Sequence, residues 1–261
     1  HAAQLYPLYG RPHHPARLDR ILDWLERRAP DVVCLQEIKC RDDAFPYAAI
    51  EAAGYHVAVH GQPSYNGVAI LSRSELTDVQ IGLGDDLLDQ QSRLIGATID
   101  GVRVICVYIP NGADLTSDKY PYKIAWLDAL AALLERQHSP DERLVLCGDT
   151  NILQRDCDAY NPHYWHATGI GCEAVRERFD GWVDWGLGDL LGVAHPEGGI
   201  YSWWDYRHLS FPQNHGMRID HILATECMAE RLDTIFVDRD ERKTSPLGKP
   251  SDHAPVIAEF T

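Results

Sequence analysis

The chain has 261 residues, enough for a large core, and no Ser/Gly/Pro-rich linker, low-complexity tract or repeat divides it, so a single domain over 1–261 is expected. Its 24 Lys+Arg against 39 Asp+Glu give a formal charge of −15, which excludes broad nonspecific adhesion to nucleic acid. Bound divalent cations or a local basic rim can still attract phosphate, because salt screens charges beyond about 8 Å.

From Pro15 to Arg28, Leu18, Ile21, Leu22 and Leu25 recur at helical spacing until Pro30 stops the pattern, predicting an amphipathic helix. The run Val32-Val33-Cys34-Leu35 reads as a strand buried on both faces that runs into Gln36-Glu37. A short helical segment near Ala48 to Ala53, a strand from Tyr55 to His60 and a buried strand Gly67-Val68-Ala69-Ile70-Leu71 follow. Strands near Leu94 to Ile99 and Val102 to Ile109 are joined by Asp100-Gly101, a two-residue hairpin signal. The second of these runs into Pro110-Asn111-Gly112. A second helix spans Tyr122 to Arg136, with Ile124, Leu127, Leu130, Ala131 and Leu134 on one face.

The stretch Leu144-Val145-Leu146-Cys147 is a third buried strand, bracketed by Pro140 and Gly148. Gly148 is expected to let the chain turn as it leaves the sheet and to deliver Asp149 and Asn151 to the strand's C-terminal edge, where open α/β sheets bind ligands. Residues 155 to 182 read as a loop with at most one helix, and strands follow at Tyr201-Ser202-Trp203-Trp204-Asp205-Tyr206, at Arg218 to Leu223 and at Val256 to Phe260. Three buried strands that each release polar residues at one end suggest one site assembled from distant segments. A single carboxylate after a strand is just as often a turn residue or a helix cap.

Seven cysteines with no Cys-x-x-Cys pair, three of them (Cys34, Cys106, Cys147) inside apolar strand runs, point to reduced thiols and a cytoplasmic setting. The apolar runs are only strand-sized and His1-Ala2-Ala3-Gln4 lacks a basic-then-apolar pattern, so neither a membrane span nor a secretory signal is expected. Interleaved helices and strands, with hairpins beside crossovers, define an α/β protein.

Seven blocks occur in one order: Leu35-Gln36-Glu37, Asn66-Gly67-Val68-Ala69, Tyr108-Ile109-Pro110-Asn111-Gly112, Gly148-Asp149-Thr150-Asn151-Ile152, Ser202-Trp203-Trp204-Asp205-Tyr206-Arg207, Arg218-Ile219-Asp220-His221 and Ser251-Asp252-His253-Ala254-Pro255-Val256. Over residues 16 to 260 the chain thereby resembles the exodeoxyribonuclease III family of abasic-site endonucleases, within the endonuclease/exonuclease/phosphatase superfamily. The Trp-Trp-Asp-Tyr-Arg block points to the DNA-repair branch. The resemblance implies a four-layer α/β sandwich, with two mixed β-sheets packed face to face and helices outside. It further implies a metal-dependent nuclease that incises duplex DNA 5′ to abasic sites and removes nucleotides from 3′ ends, acting as a monomer. The alternatives are a relative acting on another phosphodiester or phosphomonoester, or a catalytically weakened DNA-binding relative.

By the resemblance, Glu37 is the principal metal ligand and Asp252 a further one; hard oxygen donors suit Mg²⁺, with Mn²⁺ as a substitute. Asp149 matches the residue that orients or deprotonates the attacking water, and Asn151 the amide that holds Asp149 and a phosphate oxygen. His253 matches the phosphate-contacting imidazole and Asp220 its orienting carboxylate, which would favour the cationic ring. Tyr108 matches a phosphate-contacting phenol with Asn111 close behind, and Trp203 an aromatic residue beside the abasic sugar. At least one of Trp203 and Trp204 is expected to pack in the core. Arg93, Lys123 and Arg207 are candidate contacts to the DNA backbone. The family's opening strand carries Trp-Asn-x-Asn, whereas ungapped alignment puts Gly10 and Pro12 at the two Asn positions, and Pro7 interrupts the expected strand.

Overall fold

A computed structural model describes residues 17–261 and the backbone of the strand Leu5–Pro7. In chain order the strands are β1 (Leu5–Pro7), β2 (Val32–Gln36), β3 (His56–His60), β4 (Val68–Ser72), β5 (Thr77–Ile81), β6 (Leu94–Ile99), β7 (Val102–Tyr108), β8 (Leu144–Asp149), β9 (Leu187–Asp189), β10 (Trp203–Trp204), β11 (Gly216–Met217), β12 (Asp220–Thr225), β13 (Leu232–Val237) and β14 (Val256–Phe260). The helices are α1 (Leu18–Arg28), α2 (Tyr47–Ala52), α3 (Lys119–Gln137), α4 (Pro162–Trp165), α5 (Glu173–Trp185), α6 (Leu190–Ala194) and α7 (Glu226–Ala229). Among the described residues no helix is long and apolar enough to cross a membrane, and all seven cysteines are free thiols.

One sheet has the order β1-β2-β4-β3 and the other β5-β6-β7-β8-β12-β9. Both are mixed: β1/β2 and β7/β8 run parallel and the remaining pairs antiparallel. The sheets face each other, with β2 and β4 against β7 and β2 also against β8. Side-chain alternation explains why the strand runs are apolar throughout. Along β2, Cys34 points into the layer between the sheets with Val68, Ile70, Cys106, Val145 and Cys147. Val33 and Leu35 point outward onto Ile21, Trp24 and Leu25 of α1. Along β8, Val145 and Cys147 face inward, while Leu144 and Leu146 meet Trp126, Leu127 and Leu130 of α3 and Phe179 and Trp182 of α5. The result is the expected four-layer sandwich of helix, sheet, sheet and helix.

The Asp100-Gly101 hairpin forms as read, with φ of 49° and 78° at its two central residues. Several local expectations need correction. Pro7 does not break β1: it pairs with Gln36 at the end of the sheet order, and an edge strand tolerates a missing N–H that faces away from its neighbour. Gly148 makes no turn. It lies within β8, paired with Val107 and His221, and a Cβ there would collide with the Val107 carbonyl. The stretch 155–182, expected to hold at most one helix, contains α4 and most of α5, whose buried Val175, Phe179 and Trp182 lie at i, i+4 and i+7. Charged residues and Gly181 dilute that stripe in the sequence. The inner face of α3 is also rotated from its expected position, with Lys123, Trp126, Leu127, Leu130, Leu133 and Leu134 buried and Ala131 exposed.

Candidate active site

Glu37 follows the last residue of β2 and takes a left-handed backbone, φ 53°. Asn66 and Gly67 hold this turn. The Gly67 carbonyl accepts from Ile38 N–H at 3.3 Å and the Asn66 carbonyl from Lys39 N–H at 2.9 Å. Gly67 has φ 93°, and a Cβ there would strike the Ile38 side chain, so the Asn66-Gly67 block supports the Glu37 turn. The Lys39 ammonium, which the sequence reading passed over, lies 3.0 Å from the Glu37 carboxylate.

Asp149 ends β8 in the facing sheet, opposite Tyr108 on one side and Asp220 on the other. The turn expected of Gly148 is made three residues later by Asn151, at φ 50°. That conformation brings the Asn151 backbone N–H to Asp149 Oδ1 at 3.0 Å, while its side-chain Nδ2 donates to the Ile109 carbonyl at 2.8 Å. Asn151 therefore holds Asp149 through its main chain. An amide NH₂ carries two donors, so its side chain retains one for a substrate oxygen.

The structure brings His253 and Asp220 together as the sequence suggested. Asp220 Oδ2 accepts from His253 Nδ1 at 2.8 Å, and Nε2 faces Asp149 Oδ2 at 3.7 Å. Burial by itself would lower the imidazole pKa, but the two carboxylates outweigh it and hold the ring protonated well above the usual histidine range. Burial pushes the Asp149 carboxyl well up; His253 opposes the shift and Asp220 and Glu37 reinforce it. Two serines missed at first fix this pair. Ser202 Oγ accepts from the Ile219 and Asp220 N–H groups, each at 3.1 Å, and Ser251 Oγ accepts from His253 N–H at 3.1 Å. Both lie inside the recognised blocks, which was their only signal.

Ligand atoms of Glu37, Asp149 and His253 lie within 4.8 Å of one another. Of these, a protonated imidazole has no lone pair to offer, so a cation here would be held by carboxylate oxygens. The crowding of Glu37, Asp149 and Asp220 suits a hard divalent ion, which would relieve their mutual repulsion. Asp252 stands outside this group, and its Oδ2 accepts from the Trp203 indole N–H at 3.1 Å.

Tyr108 ends β7 with its ring 4.7 Å beneath the Arg93 guanidinium. Burial pushes its phenol pKa up, and Glu37 and Asp149 add to the shift, so it is a neutral donor. Arg93 also donates to the Tyr108 carbonyl at 3.0 Å. Exposed Asn111 reaches Asn151 Oδ1 at 3.4 Å. Trp204 is the core tryptophan, fully buried. Trp203 is half-buried and forms a β-bridge with His253. Arg207 is exposed and engages Asp205 through two nitrogens at 3.0 and 2.8 Å. Lys123 requires a correction: it is completely buried, and its ammonium donates to three main-chain carbonyls, so it is no exposed contact to a DNA backbone. Gly10 and Pro12 lie outside the described residues.

Comparison with known proteins agrees with this fold. The Haemophilus influenzae protein named exodeoxyribonuclease III is 37% identical over 265 aligned residues, covering 97% of this chain and 96% of its own length. An AP endonuclease structure from Archaeoglobus fulgidus matches with a TM-score of 0.93 at 34% identity, over 99% of this chain and 98% of that one. A 3′ phosphatase from Neisseria, solved with a product DNA hairpin, matches with a TM-score of 0.91 at 40% identity, over 100% of this chain and 99% of that one. The sequence pattern of the family described as "Endonuclease/Exonuclease/phosphatase family" matches residues 9–253, and the chain is a member of that family.

Proposed function

We propose that the protein is a Mg²⁺-dependent DNA-repair nuclease, a monomer that acts through a single catalytic domain. Its reaction is hydrolysis of the phosphodiester 5′ to an abasic site and stepwise removal of 3′ nucleotides from duplex DNA. The observation that carries this reading is the convergence of Glu37 and Asp149 from two facing sheets on the His253–Asp220 pair. The relatives named exodeoxyribonuclease III and AP endonuclease support it.

Glu37, with Asp149 beside it, would hold the divalent ion, which supplies charge neutralisation at the phosphate and a bound water of lowered pKa. Asp149 acts as the base that takes the proton of the attacking water. Protonated His253 presents Nε2–H to a non-bridging oxygen, and Asp220 keeps the ring in that orientation. The Asn151 amide and the Tyr108 phenol donate to the same phosphate. Trp203 flanks the position of the missing base, and Arg93, Asn111 and Arg207 line the approach of the strand.

The test is incubation with Mg²⁺ and a duplex carrying a tetrahydrofuran abasic analogue, beside an intact duplex with a recessed 3′ end and a single strand. Incision at the analogue and shortening of the recessed end, with the single strand spared, are expected. Equal rates on all three would overturn the assignment. A 3′-phosphorylated end belongs in the same assay, because the Neisseria relative is named a 3′ phosphatase.

A further inference from the structure

Lys123 lies on the inner face of α3, four residues before Leu127 and seven before Leu130, in a helix stripe that is otherwise apolar. A lysine on such a face must satisfy its ammonium or lose its charge. It donates to the Asn111 carbonyl at 3.2 Å and to the Asn151 and Gly169 carbonyls at 2.6 Å each. Burial lowers its pKa to about 7, and in the protonated form its three protons match the three acceptors. The acceptors are 12, 28 and 46 residues away in the chain, on three separate loops.

Those loops also pack backbone to backbone around the lysine. Gly169 N–H donates to the Ala113 carbonyl at 2.7 Å, and Asp114 forms a β-bridge with Thr168. A Cβ on Gly169 would lie 2.8 Å from the Gly112 carbonyl carbon, and one on Gly112 would lie 2.7 Å from Lys123 Cδ. Two glycines and one buried lysine thus form a knot with no spare volume. Its Asn151 loop carries the main-chain N–H that holds Asp149 and the side-chain amide that donates to the Ile109 carbonyl.

Resting on the nuclease reading, we infer that Lys123 is a positioning residue that contacts no DNA. Its ammonium ties the 109–113, 149–151 and 168–170 loops together and thereby sets the Asn151–Asp149 geometry at the scissile phosphate. Misplacement of reacting groups by about 1 Å costs on the order of 100-fold in rate.

The experiment compares Lys123→Met and Gly169→Ala with the unsubstituted protein. Gly169→Ala keeps the lysine and separates the loops, so it decides the question if Lys123→Met fails to fold. Three quantities are read: kcat and KM per folded molecule on the abasic duplex, the salt dependence of duplex binding, and hydrogen exchange at the Asn151 and Gly169 amides. The expected result is a loss of about 10- to 100-fold in kcat, an unchanged KM, an unchanged salt slope and faster exchange at both amides. A phosphate contact would instead lower the salt slope of Lys123→Met by about 0.9 and leave exchange unchanged, which overturns the inference. Full kcat in both variants overturns it as well. If the unsubstituted protein cleaves no substrate, the nuclease reading fails, and the exchange and salt measurements still decide whether the knot exists.

Discussion

His253 and Asp220 meet 33 residues apart in the chain at a separation of 2.8 Å, with Asp149 on the opposite side of the imidazole. The ring is protonated because two carboxylates outweigh its burial. Asp220→Asn keeps an acceptor but removes one charge, so the imidazole pKa should fall. A group that must be protonated to act fails above its pKa, so the alkaline limb of the pH profile of kcat/KM should move to lower pH. An unmoved alkaline limb in that variant would show that His253 does not act as a cation.

Glu37→Gln removes a charge at nearly constant shape. Mg²⁺ affinity should fall at least about tenfold, close to 1.4 kcal/mol, with the circular dichroism spectrum unchanged. EDTA should abolish turnover, and Mg²⁺ or Mn²⁺ should restore it. Calorimetric titration giving the same Mg²⁺ affinity in both proteins would remove Glu37 from the metal site.

Asp149→Asn retains the oxygen that accepts from the Asn151 N–H but cannot take a proton. Turnover should drop by about 10²- to 10⁴-fold, the usual contribution of a general base, while duplex binding persists. Single-turnover rates with DNA in place before Mg²⁺ is added separate the two effects. A variant with nearly full activity would end the proposed role.

His221 supplies a pH dependence of stability. Its Nδ1 donates at 2.7 Å to Thr150 Oγ1, whose hydroxyl donates to the Ile219 carbonyl, and its buried Nε2 has no partner among the described residues. Burial, with Arg218 nearby, lowers the imidazole pKa to about 4. The unfolded chain takes up this proton below about pH 6.5 and the folded one only near 4, so stability falls as pH drops between the two. The loss approaches about 3 kcal/mol, and His221→Gln should flatten that part of the curve. Urea unfolding of both proteins between pH 4 and pH 7.5 measures it.

Arg218 is fully buried between Asp158 and Asp189, with Nη2 at 2.8 Å from each. Removing the cation takes the shared partner from partly buried Asp189 and leaves buried Asp158 its pair with Arg155, at 3.0 and 2.8 Å. Arg218→Met should therefore cost about 3–5 kcal/mol in denaturant unfolding at neutral pH. An unchanged unfolding midpoint would mean that the two carboxylates find other partners.

Most elements are legible in local stretches of the chain. Buried strands follow from short apolar runs and the hairpin from Asp100-Gly101, because periodicity and turn chemistry act over a few residues, whereas the roles of Glu37, Asp149 and His253 come from the blocks shared with the family. What depends on neighbours remote in the chain emerges in the folded arrangement alone. Gly148 is glycine for the sake of Val107 in the next strand, and Trp203 and Trp204 part company through strand alternation and the loops around them. Lys123 reads in sequence as one more solvated cation, yet its position on the inner face of α3 buries it among three loop carbonyls. The site itself exists only because β2 and β8, in different sheets, end side by side, and a contact between two sheets leaves no period or spacing in either strand.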